Sequence, residues 1–296
     1  MRTPVFTGSC PALVTPLDEH GNIHYEAFGR QIDAQIEAGV DAVCVCGTTG
    51  ECSTISIREH ISAMEYCVKR VNRRVKVIAG AGSNDTSAAV YLSQHAQDAG
   101  ADALLHVTPY YNKTSQAGLI KHYEYIAERT ELPIILYNVP GRTGVSFTAE
   151  TYQHLAQNPK INGVKEASGN FSLLAHTRCI CPDDFYIWSG NDDQVVPMMS
   201  MGAKGVISVA SNIIPQVMLK MTHLCLANDF AAAAKLQIQY MELIDALFCE
   251  VNPIPIKAAM NLMGMEAGPL RLPLCDISDQ NRAMLRTAME RMGLLK

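Results

Sequence analysis

The chain predicts an α/β fold: a (β/α)8 TIM barrel with a C-terminal helical extension. Three observations carry this. Eight short segments rich in Val, Ile and Leu recur along the chain, stretches of helical periodicity separate them, and a helical surplus follows the eighth. Short, continuously apolar strands are what a parallel sheet buried on both faces requires. Strands alternating with helices build such a sheet, and eight of them close it into a barrel. The alternative is a doubly wound open sheet. It usually has fewer strands and often a glycine-rich first turn, which Pro16-Leu17-Asp18-Glu19 does not supply.

In chain order the strand signals are residues 9–15, 41–46, 76–81, 103–108, 133–138, 162–166, 185–189 and 205–210. Between them, residues 25–38 place Phe28, Ile32 and Ile36 four apart and end at Gly39, a C-cap. Residues 57–71 carry Ile57, Ile61, Met64 and Val68 at helical spacing, and 86–99 begins at a Ser-Asn-Asp cap signal. Residues 115–129 and 148–157 read as helices too, the latter stopped by Asn158-Pro159. These assignments divide the chain into a catalytic barrel over 1–225 and a three-helix extension over 226–296, with helices at 229–249, 255–263 and 278–292. Asn252-Pro253-Ile254-Pro255 reads as a turn between helices.

Composition narrows the function. A formal net charge of -5 offers no basic field for nucleic acid. No apolar run reaches membrane-spanning length. The first residues, MRTPVFTGSCPALVTPLDEHG, lack the apolar core of about 7–15 residues that a secretory leader needs, so a cytoplasmic protein is expected. Ten cysteines contain no C-x-x-C, and no predicted helix carries an H-x-x-x-H pair, so neither a metal nor a cofactor is expected. Cys44 and Cys46 lie in one apolar run, where same-face strand positions make them small core residues.

Barrel enzymes assemble their sites at the C-terminal ends of the strands. The second strand delivers Gly47-Thr48-Thr49-Gly50-Glu51, the fourth Thr108-Pro109-Tyr110-Tyr111-Asn112, and the fifth Tyr137-Asn138-Val139-Pro140-Gly141-Arg142-Thr143. The sixth ends in Val164-Lys165-Glu166, the seventh in Gly190-Asn191-Asp192-Asp193, and the eighth carries Gly205-Val206-Ile207-Ser208. A lysine in a buried strand is costly unless it is paired or does chemistry. Paired, it is a structural ion pair with Glu166 or a barrel carboxylate. Unpaired and partly desolvated, a lysine can condense with a ketone to an imine that withdraws electrons from the adjacent carbon. Glu166, one residue on, should face the other way. Tyr137 can shuttle protons with a hydroxyl relay, Thr49 and loop amides can hold a keto acid's carboxylate, and Arg142 suits a second carboxylate. The loops after the seventh and eighth strands lack a glycine-rich phosphate grip, so phosphorylated sugars are not the expected substrates.

Gly47-Thr48-Thr49-Gly50-Glu51, Tyr110-Tyr111, Tyr137-Asn138-Val139-Pro140-Gly141-Arg142-Thr143, Gly163-Val164-Lys165-Glu166 and Gly205-Val206-Ile207-Ser208-Val209 together resemble the dihydrodipicolinate synthase family of pyruvate-dependent class I aldolases. The resemblance runs in order from Gly8 to about Asn212. It implies condensation of pyruvate with L-aspartate 4-semialdehyde, with no cofactor beyond the covalent imine on Lys165. It also implies a proton relay of Tyr137, Thr48 and Tyr111, the last from a neighbouring subunit, and hence a dimer of dimers. Thr49, Gly190 and the backbone at Ile207 would bind pyruvate, and Arg142 the semialdehyde carboxylate. Sugar-acid and N-acetylneuraminate aldolases share the lysine and the tyrosine, but the Thr48-Thr49 pair and the Pro140–Thr143 run favour the synthase. A regulatory barrel without catalysis is the remaining alternative. Family members inhibited by lysine build a pocket near Tyr110, His60 and Asn84. The matching positions here include Ile57 and Ala88, neither able to bond an ammonium, so weak or absent lysine feedback is expected.

Overall fold

The structure is a computed structural model and describes residues 1–295. The eight strands are β1 (Gly8–Pro11), β2 (Ala42–Val45), β3 (Lys76–Gly80), β4 (Ala103–Val107), β5 (Ile134–Asn138), β6 (Ile161–Glu166), β7 (Tyr186–Ser189) and β8 (Gly205–Ser208). All pair in parallel in the order β1-β8-β7-β6-β5-β4-β3-β2. A bridge between Ala12 and Cys44, with Leu13 N–H donating to the Cys44 carbonyl at 2.8 Å, brings the first strand against the second and closes the sheet.

β1 is shorter than the expected 9–15. Ala12 N–H still bonds Ser208 at 2.8 Å, but Leu13 then turns to the β2 side, so the chain changes neighbour instead of extending one ladder. Helices follow the strands: α1 (Tyr25–Glu37), α2 (Ile57–Val71), α3 (Thr86–Ala99), α4 (Gln116–Ala127), the single turn α5 (Pro140–Thr143), α6 (Ala149–Leu155), α7 (Phe171–Ile180), α8 (Val195–Ser200) and α9 (Pro215–Leu226). Three more succeed them, α10 (Phe230–Leu247), α11 (Ile254–Leu262) and α12 (Asp279–Arg291). Several start one residue later than the periodicity alone suggests, because Ser115, Thr148, Asp229 and Ser278 are N-caps whose side chains accept a backbone N–H of the first turn. α2 opens with a full capping box between Ser56 and Glu59.

Strand alternation sorts the core into two sets. Cys10, Ala42, Cys44, Ile78, Leu105, Ile135, Tyr137, Trp188 and Ile207 fill the barrel, while Val43, Leu104, Ile134, Leu136, Val164, Ile187 and Val206 pack outward under the helices. Cys44 and Cys46 do not share a face. Cys44 lies in the barrel, whereas Cys46, past the strand end with φ 55°, turns into the outer layer. No helix among the described residues is long and apolar enough to cross a membrane.

Candidate active site

β6 carries a lysine and a glutamate in succession, and the pleat sends them to opposite faces. Glu166 goes outward, where its oxygens accept from Asn138 Nδ2 at 3.1 Å, from the Tyr152 hydroxyl at 3.0 Å and from Ser168 N–H at 2.8 Å. Lys165 goes inward beside its register partner Tyr137, its amine 4.3 Å from the centroid of that ring. The side chain is only 6 % exposed, and it makes no ion pair among the described residues. Glu166 is thus excluded as its partner, and so is every other described carboxylate. Gly190, which follows β7, leaves room for the lysine stem. A Cβ there would stand 3.0 Å from Lys165 Cε and 2.7 Å from the Ala167 methyl.

After β2 the chain makes a 3₁₀ turn, Thr48–Gly50, ended by Glu51 in the left-handed region at φ 55°. The turn is held close to β1: Thr15 Oγ1 donates to the Gly50 carbonyl at 2.8 Å, and a Cβ on Gly50 would meet Thr15 Oγ1 at 3.0 Å. Thr49 is buried, and its Oγ1 accepts from Asn252 Nδ2 at 3.0 Å. The buried Glu51 carboxylate is held by Lys257 Nζ at 2.8 Å and by Arg271 N–H at 3.0 Å. Asn252, Lys257 and Arg271 all lie beyond the barrel, in the C-terminal extension.

Arg142 sits on α5, at the end of β5, and donates to the Asn252 carbonyl at 3.1 Å. With Thr48, Cys52, Ile57, His60 and Tyr110 it lines a cavity of about 350 Å³ beside the rim. In that cavity Ala88 is a bare methyl, and His60 Nε2 lies 2.6 Å from the Gly80 carbonyl. The β4 loop is tied down by Asn84 Nδ2 donating to the Tyr110 carbonyl at 3.1 Å. Tyr111, next along, stands 92 % exposed with φ 69°. Within its own chain it is therefore not gathered with Lys165 and Tyr137.

Ile207 lies inside the barrel on β8. Just beyond it the buried Asp192 carboxylate accepts the amides of Val209 at 3.0 Å and Ala210 at 2.8 Å. Burial pushes this carboxyl upward, against those hydrogen bonds and the positive field of Lys165. Burial likewise raises Cys44 to about 11, so the thiol facing the barrel interior stays neutral.

The structure brings Lys165, Tyr137, Thr48, Thr49, Arg142, Gly190 and Ile207 to the C-terminal end of one barrel. Sequence reasoning missed three residues. Asp192 lies in the Gly190-Asn191-Asp192-Asp193 segment after the seventh strand, where the sequence assigns it no role. Lys257 lies in the apolar run Ile254–Met260 and carried the same buried-lysine signal as Lys165. In sequence Asn252 is only part of a turn, and nothing in its neighbours points to a threonine 203 positions away.

The model of the Dihydrodipicolinate synthetase family matches residues 5–292. The 4-hydroxy-tetrahydrodipicolinate synthase of Acetivibrio thermocellus is 48 % identical over 295 residues, covering 100 % of both chains. That of a Thermoanaerobacter species is 49 % identical, covering 99 % of each. The crystal structure of the synthase from Cyanidioschyzon merolae with lysine bound superimposes with a TM-score of 0.96 at 40 % identity, covering 99 % of this chain and 100 % of that one. The chain is a lyase built on a (β/α)8 barrel. It belongs to the dihydrodipicolinate synthetase family.

Proposed function

We infer that the chain catalyses the reaction of 4-hydroxy-tetrahydrodipicolinate synthase, joining pyruvate to L-aspartate 4-semialdehyde at the first committed step of diaminopimelate and lysine biosynthesis. The observation that carries the mechanism is Lys165: an amine in a barrel interior, against a tyrosine ring, with no carboxylate in ion-pair contact among the described residues. Such an amine attacks the pyruvate ketone, and loss of water leaves an imine. The iminium draws electrons from the methyl carbon, which loses a proton to give an enamine. That carbon then attacks the aldehyde, forming the new C–C bond. The amino group of the semialdehyde finally closes onto the imine carbon and releases Lys165, with one water lost overall.

In this reading Tyr137 moves the protons of imine and enamine formation, relayed by Thr48 and by Tyr111. Thr49, Gly190 and the backbone at Ile207 hold pyruvate, and the Arg142 guanidinium holds the semialdehyde carboxylate. The exposure of Tyr111 supports its serving a neighbouring subunit, so the working unit is at least a dimer and, by the family resemblance, a dimer of dimers. Residues 1–225 form the catalytic barrel and 226–296 the extension. The enzyme works in the cytoplasm and uses no cofactor beyond its own imine.

Borohydride reduction in the presence of pyruvate, followed by peptide mass mapping, tests the reading. A pyruvyl adduct on Lys165 is expected. Its absence rejects both this function and any other pyruvate aldolase, leaving a barrel without catalysis. If the adduct forms, product from L-aspartate 4-semialdehyde but not from sugar aldehydes separates the synthase from a sugar-acid aldolase.

A further inference from the structure

The C-terminal extension is more than packing. Its helix α11 begins two residues after Asn252, a side chain 5 % exposed that reaches the rim from outside the barrel. Asn252 makes two bonds that differ in kind. Its side-chain Nδ2 donates to Thr49 Oγ1 at 3.0 Å, and its backbone carbonyl accepts Arg142 at 3.1 Å. Its Oδ1 is buried and has no donor among the described residues.

We propose that Asn252 is a positioning residue that sets the direction of the Thr49 hydroxyl: because Thr49 Oγ1 accepts from Asn252, its proton is left to donate to the carboxylate of the keto acid. The proposal rests on the pyruvate chemistry inferred for Lys165. A hydroxyl has one proton and two lone pairs. Fixing a donor on one lone pair, while Thr49 makes no other side-chain hydrogen bond among the described residues, converts an adaptable group into a directed donor. Glu51, two residues on, is gripped by Lys257 and Arg271, so the extension holds the turn rigidly while Asn252 orients the group at its centre.

The two bonds separate the two substrates. Asn252→Ala deletes the side-chain bond to Thr49 and keeps the backbone carbonyl for Arg142. A loose, merely structural role would disturb both subsites alike. In Asn252→Asp the shape persists, but a carboxylate can only accept, so it captures the Thr49 proton and faces the substrate carboxylate with a like charge.

The test is the pyruvate concentration giving half-maximal borohydride trapping on Lys165, measured beside the KM for L-aspartate 4-semialdehyde. Asn252→Ala is expected to raise the pyruvate value about five- to tenfold, the loss of roughly one net hydrogen bond. The semialdehyde KM should stay within about twofold. Asn252→Asp is expected to raise the pyruvate value further and to lower the thermal midpoint, because the new carboxylate is buried. Unchanged trapping in both variants, or equal increases for both substrates, overturns the proposal. If the unaltered enzyme traps no pyruvate, the inferred function falls and this proposal falls with it.

Discussion

Two lysines are buried among the described residues, and they are buried differently. Lys257 is 1 % exposed and surrounded by acceptors: the Glu51 carboxylate, the Thr15 carbonyl at 3.3 Å and the Pro269 carbonyl. Lys165 is 6 % exposed and has no carboxylate in ion-pair contact among the described residues, only an aromatic face and the gap left by Gly190. Desolvation pushes the Lys257 amine below its ordinary value, and Glu51 pulls it back. Burial alone therefore does not mark a nucleophile. What distinguishes the two is the company each amine keeps: one is fully satisfied and structural, the other is left with its reactivity unspent.

Opposite signatures on substitution break or sharpen that contrast. Lys165→Met is expected to lower turnover by about four orders of magnitude or more, since the imine cannot form. Its unfolding midpoint should be unchanged or raised, because no bond partner is orphaned. Lys257→Met should do the reverse, costing about 3–5 kcal/mol of stability by stranding the Glu51 carboxylate. Adding Glu51→Gln should recover a large part of that loss. Urea denaturation of the three variants, set beside their steady-state rates, reads all of this. A Lys165→Met protein as unstable as Lys257→Met would dissolve the distinction.

Two histidines extend the contrast to buried bases kept neutral. Burial pushes His106 down to about 3, with help from its neighbour His122, and His122 itself down to about 4. Their ordinary value is 6.5, so below that pH the unfolded chain takes up protons that the folded chain refuses. The stability they provide is complete above about pH 6.5 and is lost as pH falls toward 4, at up to roughly 1.4 kcal/mol per pH unit for each ring. Denaturation midpoints from pH 7 to pH 4.5 should show this slope, and His106→Gln should flatten it.

The smallest expected effect concerns free lysine. Its ammonium needs what Lys257 has, an accepting cage. The cavity beside the rim instead offers the Ile57 side chain, the Ala88 methyl and a His60 ring already facing Gly80. Initial rates should barely respond to added lysine, and strong inhibition near micromolar concentrations would contradict this.

The barrel was readable because most strands are apolar on both faces and many of the helices have their own side-chain cap and period, both local properties. Strand ends were less readable. At Ala12–Leu13 the chain switches hydrogen-bonding neighbour, and no local pattern records which strand lies alongside. The pairing of Cys44 with Cys46 failed for a related reason, a left-handed residue just past the strand. At the site, the outward turn of Glu166 followed from the two-residue period of a strand. The contact of Asn252 with Thr49 followed from nothing local, because it depends on where the extension docks.

That docking carries a consequence for the order in which the protein is made. Thr49 and Glu51 leave the ribosome before the groups that satisfy them, Asn252, Lys257 and the amide of Arg271, which lie 203, 206 and 220 positions further along the chain. Until they arrive, burying Glu51 would strand a charge. The rim after β2 is therefore completed only after all eight strands have been made, and a nascent barrel has its lysine in place before it has a finished pocket around it.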